Sequence, residues 1–213
     1  MQITRKFFLD NPLDEPPLPA LIDFRIDIFE HDSIDNAITE IANDMKTTEQ
    51  KEEDRNEIEA VKALQTVDEL IQALRKYKGP NTEREIAHKA LSMEEEALPK
   101  IVERFYRNRT PEFLEKAELI LYFADHKYLD ELFQNYKQIQ SPYAQAMICY
   151  LIGKAEYNDV DDFLLEQYFF MKRYYVREHY EQFPLYALYC LHPDLTMDDD
   201  KIKKSRKKSK NQH

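Results

Sequence analysis

Glu85 and His88 stand three residues apart, the spacing that puts a carboxylate and an imidazole on one face of a helix, as di-iron carboxylate sites require. Such a site needs the Glu-x-x-His pair twice with two further glutamates, and the chain contains that pair once. A metal-dependent enzyme built near Glu85 and His88 is therefore an alternative, and a solvent-facing helical pair is the simpler reading. His31-Asp32 has the order of an HD-type metal site but lacks a matching upstream histidine or downstream aspartate, so an N-cap suits it better. His126, His179, His192 and His213 are scattered, and no serine or cysteine nucleophile can be matched with a base. Cys149 and Cys190 lie on apolar helical faces without Cys-x-x-Cys or Cys/His spacing, which predicts buried thiols. With only two glycines, Gly79 and Gly153, the chain has neither a P-loop nor a dinucleotide fingerprint. No metal or cofactor is expected.

Charge and aromatic residues offer more. The acidic pairs Asp68-Glu69, Asp130-Glu131 and Asp161-Asp162 recur in phase and would make a rail along one edge of the molecule, with Pro99-Lys100 interrupting it. Acids in a helix's first turn also complement its dipole, worth about 0.3–1 kcal/mol each, so the rail needs no partner to account for it. The formal charge is −11, but the last thirteen residues hold seven bases and no acid, which leaves residues 1–200 with 23 bases against 41 acids, a net of −18. Such a body repels phosphate backbones and attracts basic surfaces. The like-charged tail Lys201–Lys210 could tether nucleic acid or anionic lipid, contact the acidic body, or simply solubilise the chain. Of 26 Phe and Tyr, 21 fall at or after Phe105, more than one hairpin can bury near the C-terminus. Tyr168, Tyr175 and Tyr180 are accordingly candidates for an exposed binding surface or for a cap over the end of the core.

These residues need elements to hold them, and the chain supplies a periodic set. Val67–Ile71, Leu98–Val102, Leu129–Phe133 and Val160–Leu164 read alike at a shift of 31 residues, each preceded by another apolar helical stretch. Three of those stretches begin with proline at one phase, Pro80, Pro111 and Pro142, where a missing amide costs a helix nothing. Hairpins of this size bury their apolar faces only by stacking. Thr66-Val67-Asp68-Glu69 has the capping-box pattern that starts a helix. In the following hairpin, Ile86, Ala87, Ala90 and Leu91 form one inward stripe and Leu98, Ile101, Val102 and Phe105 the other.

Four regions result. Residues 1–34 form a Pro-rich arm, extended through Asp10–Ala20, in which 21–29 fits a strand or a short buried helix equally well. Residues 35–54 hold a helix, whose pattern runs from Ile34 to Met45, and an acidic loop over Lys46–Asn56; residues 55–197 are the repeat domain, and 198–213 a disordered tail. Pro99 is placed at a helix start, and one long helix is expected from Asp159 to Gln182, followed by a short one opened by Pro184 as a terminal cap. Met1 to Ala20 has no apolar run of signal-peptide type and no stretch approaches the ~18 apolar residues of a membrane span, so a cytoplasmic protein is expected.

Glu96-Ala97-Leu98-Pro99-Lys100-Ile101-Val102-Glu103-Arg104-Phe105 and Tyr150-Leu151-Ile152-Gly153-Lys154-Ala155-Glu156-Tyr157 resemble the short HEAT-like repeats found in bilin lyases, over roughly Arg55 to Leu191. The resemblance implies an all-α, right-handed α-α superhelix of helical hairpins, with Gly153 keeping the family's turn glycine. The paired His-Glu dipeptides of HEAT-like hydroxylases are absent from the chain. The leading expectation is a non-enzymatic protein-binding scaffold, an adaptor or immunity-type protein. Its binding residues would be Asp68, Glu69, Asp130, Glu131, Asp161, Asp162, Tyr168, Tyr175 and Tyr180, and its partner a basic protein surface. The alternatives are the metal enzyme at Glu85/His88 and a nucleic-acid-associated protein held by the tail.

Overall fold

A computed structural model describes residues 1–13, 34, 48–76 and 80–196. The segment 21–29, His31-Asp32, the expected helix after Ile34 and the basic tail lie outside the described residues. Among the described residues the protein is all-helical, with 11 α-helices, one 3-10 turn and no strand. We number the helices α1 (Arg5–Asp10), α2 (Thr48–Lys62), α3 (Val67–Lys76), α4 (Pro80–Ser92), α5 (Glu94–Phe105), α6 (Pro111–Phe123), α7 (His126–Gln134), α8 (Pro142–Lys154), α9 (Asp161–Tyr174), α10 (Gln182–Leu191) and α11 (Pro193–Thr196).

Several helices begin for a local reason. Pro80, Pro111 and Pro142 are the first residues of α4, α6 and α8. At α3 the Thr66 hydroxyl accepts the Glu69 N–H at 3.3 Å while the Glu69 carboxylate accepts the Thr66 N–H at 2.9 Å, a closed capping box. Asp125 caps α7 by accepting the Lys127 N–H at 2.9 Å. The apolar stripes face inward as their spacing predicts: Ile86, Ala87, Ala90, Leu98, Ile101, Val102 and Phe105 are buried, and Leu91 is half-buried.

Packing follows chain order. The even-numbered helices touch in succession from α2 to α10, the odd-numbered helices touch from α3 to α7, and α3, α5, α7 and α9 each pack on an even neighbour. The Phe133 ring of α7 meets the Phe163 ring of α9 edge-on at 5.1 Å. The largest fully buried side chains, among them Phe105, Phe113 and Tyr150, belong to the hydrophobic core these helices enclose.

Five local expectations are corrected. The N-terminal arm is not extended throughout: α1 is a helix whose Phe7 and Phe8 are buried against Tyr168 and Tyr189, rings 5.9 and 4.6 Å apart, so it docks on α9 and α10. The polar stretch after Lys46 is helical from Thr48. Pro99 lies inside α5, because Glu94, Glu95 and Glu96 form an acidic first turn that starts the helix earlier. The long helix expected over Asp159–Gln182 ends at Tyr174, and a turn with His179 at φ 55° reverses the chain into α10. A continuous helix would leave Phe183, Leu185, Ala187 and Leu188 in water, whereas folding back buries all four. Gly153 is no turn glycine: it sits in α8, where a Cβ would lie 2.4 Å from Ala187 Cα, so its missing side chain permits the close approach of α8 and α10.

Candidate functional site

Three of the odd-numbered helices, α3, α5 and α9, are electrically polarised. α3 opens with Asp68 and Glu69 and closes with Arg75 and Lys76; α5 opens with Glu94–Glu96 and closes with Arg104; α9 opens with Asp161 and Asp162 and closes with Lys172 and Arg173. Each arrangement complements the helix dipole. The acidic ends share one edge, because cations from neighbouring helices span them: Lys100 of α5 reaches Asp68 at 3.2 Å and Lys127 of α7 reaches Glu95 at 2.9 Å. His192 Nε2, just after α10, lies 2.9 Å from both oxygens of Asp161.

This places each predicted acid. Asp68 and Asp161 are paired as above, and Asp130 accepts a short hydrogen bond from the Tyr157 hydroxyl. The Glu69 carboxylate is turned back on its own helix start, where the Gln65 and Thr66 N–H groups, followed by the Thr66 hydroxyl, hold its pKa below the ordinary carboxylate value. Glu131 is exposed, and its backbone carbonyl accepts from the Tyr106 hydroxyl at 3.3 Å. Asp162 is exposed and lies 3.5 Å from the Met1 amino group. The rung expected to be missing at Pro99-Lys100 is filled one turn earlier: Glu94 accepts the Asp125 N–H at 3.0 Å and Glu95 takes Lys127. At its C-terminal end the edge runs into a cleft of about 820 Å³ whose wall includes Glu156, Asp159, Asp161, Asp162 and His192. Glu156 and Asp159 adopt left-handed backbone there, φ 54° and 58°.

Of the two uses open to the tyrosines, an exposed surface or a cap over the core, exposure does not hold for Tyr168 and holds only in part for Tyr175 and Tyr180. Tyr168 is buried beneath α1, donating to Asn11 Oδ1 at 2.8 Å and accepting from Lys172 at 2.6 Å. Tyr175 and Tyr180 are half-buried and pack on each other, ring centroids 5.7 Å apart, with Tyr180 also against Tyr143 and Phe183. Burial, then the Glu178 charge, pushes the Tyr180 hydroxyl pKa upward. The exposed aromatics are instead Phe169, Phe170 and Tyr174, and Phe170 borders a cavity of about 660 Å³ with Phe133, Tyr136 and Phe163.

Glu85 is half-buried with its carboxylate 4.0 Å from Arg84, and His88 is exposed. Among the described residues no group of three or more His, Cys, Asp or Glu side chains could hold a metal ion. Neither Cys149 nor Cys190 is in a disulfide; Cys149 is buried beside the Tyr136 hydroxyl, and burial pushes its thiol up to about 12. Cys190 is half-buried and lines the acidic cleft. Reasoning from the sequence missed a second charged feature at the opposite ends of α3 and α5, where Arg75, Arg104, Arg107 and Arg109 line a concavity of about 550 Å³. Its only signal was the basic last turn of each helix.

No family model, curated protein or solved structure matches the chain. The class its structure defines is an all-helical protein with charge-polarised helices, and among the described residues no helix is long and apolar enough to cross a membrane.

Proposed function

We propose that this chain is a non-enzymatic protein-interaction module, a right-handed superhelix of HEAT-like hairpins that takes a basic protein segment along its acidic edge. Three features support the superhelix: the alternate-helix packing, the helix starts at Pro80, Pro111 and Pro142, and contacts that join residues 31 or 32 positions apart, as in Asp68–Lys100, Glu95–Lys127 and Asp161–His192. Repetition of this kind builds long surfaces for binding.

The observation that carries the binding assignment is the uneven neutralisation of the edge. At α3 and α5 the edge acids Asp68 and Glu95 are bridged by lysines, whereas toward α7 and α9 Glu131, Glu156 and Asp159 form no ion pair within 4.0 Å among the described residues, and Asp161 and Asp162 meet a histidine and the Met1 amino group rather than a lysine or arginine. The acidic cleft lies at this less neutralised end. A basic segment would therefore seat near α7 and α9. Association should be faster at low salt and weaken as the Debye length contracts, about 10 Å at 0.1 M. Capture of interacting proteins by the full chain at low ionic strength, repeated with Glu131→Lys/Asp159→Lys, tests the assignment. A partner held through a basic surface and lost by both salt and the double variant is expected. A partner indifferent to both, or one that depends on the Lys201–Lys210 tail instead, sinks it.

A further inference from the structure

We infer that the concavity between the C-terminal ends of α3 and α5 is a binding site for a compact oligophosphate, a small molecule carrying two or more adjacent phosphoryl groups. The chain holds 41 acids against 30 bases, so a surface arginine should find a carboxylate easily. Yet Arg75, Arg104, Arg107 and Arg109 line one concavity, and none forms an ion pair within 4.0 Å among the described residues. Glu103 is the single acid in the wall and is likewise unpaired.

Dipole complementation accounts for Arg75 and Arg104, which close α3 and α5. It does not account for Arg107 and Arg109, which lie beyond the end of α5. The loop holding them is tied down: buried Asn108 accepts the Thr110 N–H at 2.8 Å and donates its own N–H to the Arg104 carbonyl at 2.9 Å. The Gln140 N–H bonds the Tyr106 carbonyl at 2.8 Å. Arg75 is set over the face of buried Phe113, its guanidinium carbon 5.9 Å from the ring centroid. Four arginines are thus gathered around one concavity before any ligand arrives.

Guanidinium is charged at every physiological pH, and its planar fork donates two parallel hydrogen bonds to phosphoryl oxygens. A volume of about 550 Å³ suits a di- or triphosphate group. Size also selects against nucleic acid. A ligand no longer than the Debye length, about 10 Å at 0.1 M, feels chiefly the arginines, whereas a long strand runs onto a body whose net charge through residue 200 is −18.

Calorimetric titration of the full chain with sodium tripolyphosphate, inorganic phosphate, adenosine triphosphate and a single-stranded oligonucleotide tests the site. Tripolyphosphate should bind saturably and at least about tenfold more tightly than inorganic phosphate, and Arg104→Gln and Arg107→Gln should each weaken it about tenfold. Arg107→Lys keeps the charge but not the fork and should lose less than Arg107→Gln. Equal affinity for adenosine triphosphate means that the phosphoryl groups alone are read, and tighter binding means that a nucleotide is the natural form; both uphold the site. Lys203→Gln/Lys204→Gln/Lys207→Gln/Lys208→Gln should leave binding intact. Absence of saturable binding, indifference to the arginine variants, loss with the lysine variant, or tighter binding of the oligonucleotide through the same arginines would each overturn the assignment.

Discussion

At the N-terminal ends of α3, α5 and α9, Asp68, Glu95 and Asp161 meet Lys100, Lys127 and His192 from neighbouring helices, whereas the arginines at the C-terminal ends of α3 and α5 meet no carboxylate. Both ends obey the same dipole rule, so composition at each is ordinary. The difference lies in what the next helix supplies. A charge bridged to a neighbour fixes how two helices sit together and has less field left for a partner. A charge gathered with its like and left unbridged raises the energy of the free protein slightly and lowers that of a complex. Because an exposed ion pair is worth about 0–1 kcal/mol, the bridged edge contributes register more than stability, and stability must come from the hydrophobic core.

The most forceful way to break that division is to remove core beside an edge acid. Leu132→Ala should cost about 2–5 kcal/mol, since Leu132 is fully buried in α7, while Glu131→Ala, one residue away and exposed, should stay within about 0.5. Chemical denaturation of both variants decides it; equal losses would mean that the edge carries structural load. Next in size is Gly153→Ala. Its Cβ would sit 2.4 Å from Ala187 Cα and Cβ, a backbone clash that no rotamer relieves, so a loss of about 1–3 kcal/mol is expected. Displacing α10 should also loosen the Asp161–His192 contact, visible as altered His192 resonances in NMR. A variant as stable as the parent would show that α8 and α10 can separate without cost.

Much of the fold was legible because it is local. Pro80, Pro111, Pro142 and the Thr66–Glu69 box each act within one turn, and each marks a helix start as read. What failed depended on distant chain. Tyr168 reads as a surface residue of α9 until α1, 157 positions away, covers it through Phe7 and Asn11. Pro99 reads as a helix start because proline favours that position, but the preceding three glutamates are the stronger start signal. The family resemblance implies a turn's role for Gly153, whereas its reason lies across the interface at Ala187. Of the candidate site, Asp68, Asp130 and Asp161 were placed by period alone. Their partners were not, since hydrogen bonds to Lys100, Tyr157 and His192 require knowing how far one hairpin is offset from the next. The arginine concavity was least visible, because Arg107 and Arg109 sit in a loop that no periodicity describes.

A smaller effect compares one bridge with one unbridged charge directly. His192 is about a quarter exposed and Asp161 under half, so His192→Ala should lower stability by about 1 kcal/mol or less, part of it lost packing against Phe8. Arg107→Ala should stay within about 0.5 kcal/mol and, by relieving repulsion among the arginines, should if anything raise the Tm. A larger loss at Arg107 than at His192 would mean that the arginines have a structural partner and would reverse the comparison.

The smallest effect is the most diagnostic, because it follows protonation. The Glu69 carboxyl has its pKa lowered from the ordinary 4.5 mainly by the Gln65 and Thr66 N–H groups, so folding favours its charged form. A depressed folded-state pKa contributes stability that is fully present above the unfolded value and is lost as pH falls through the folded one. Glu69→Gln keeps an acceptor oxygen and discards the titration. The stability difference between parent and Glu69→Gln should therefore be constant above about pH 5 and shrink progressively as the pH is lowered below about 4.5, measured by urea denaturation at each pH. Arg107→Gln is the control at the other end of the neighbouring helix: guanidinium does not titrate in this window, so the variant brings no proton linkage of its own. If the Glu69 difference instead stays flat to the acid limit of the folded state, the capping box contributes no charge-dependent stability, and the acidic edge begins with an exposed carboxylate as open to a ligand as Glu131.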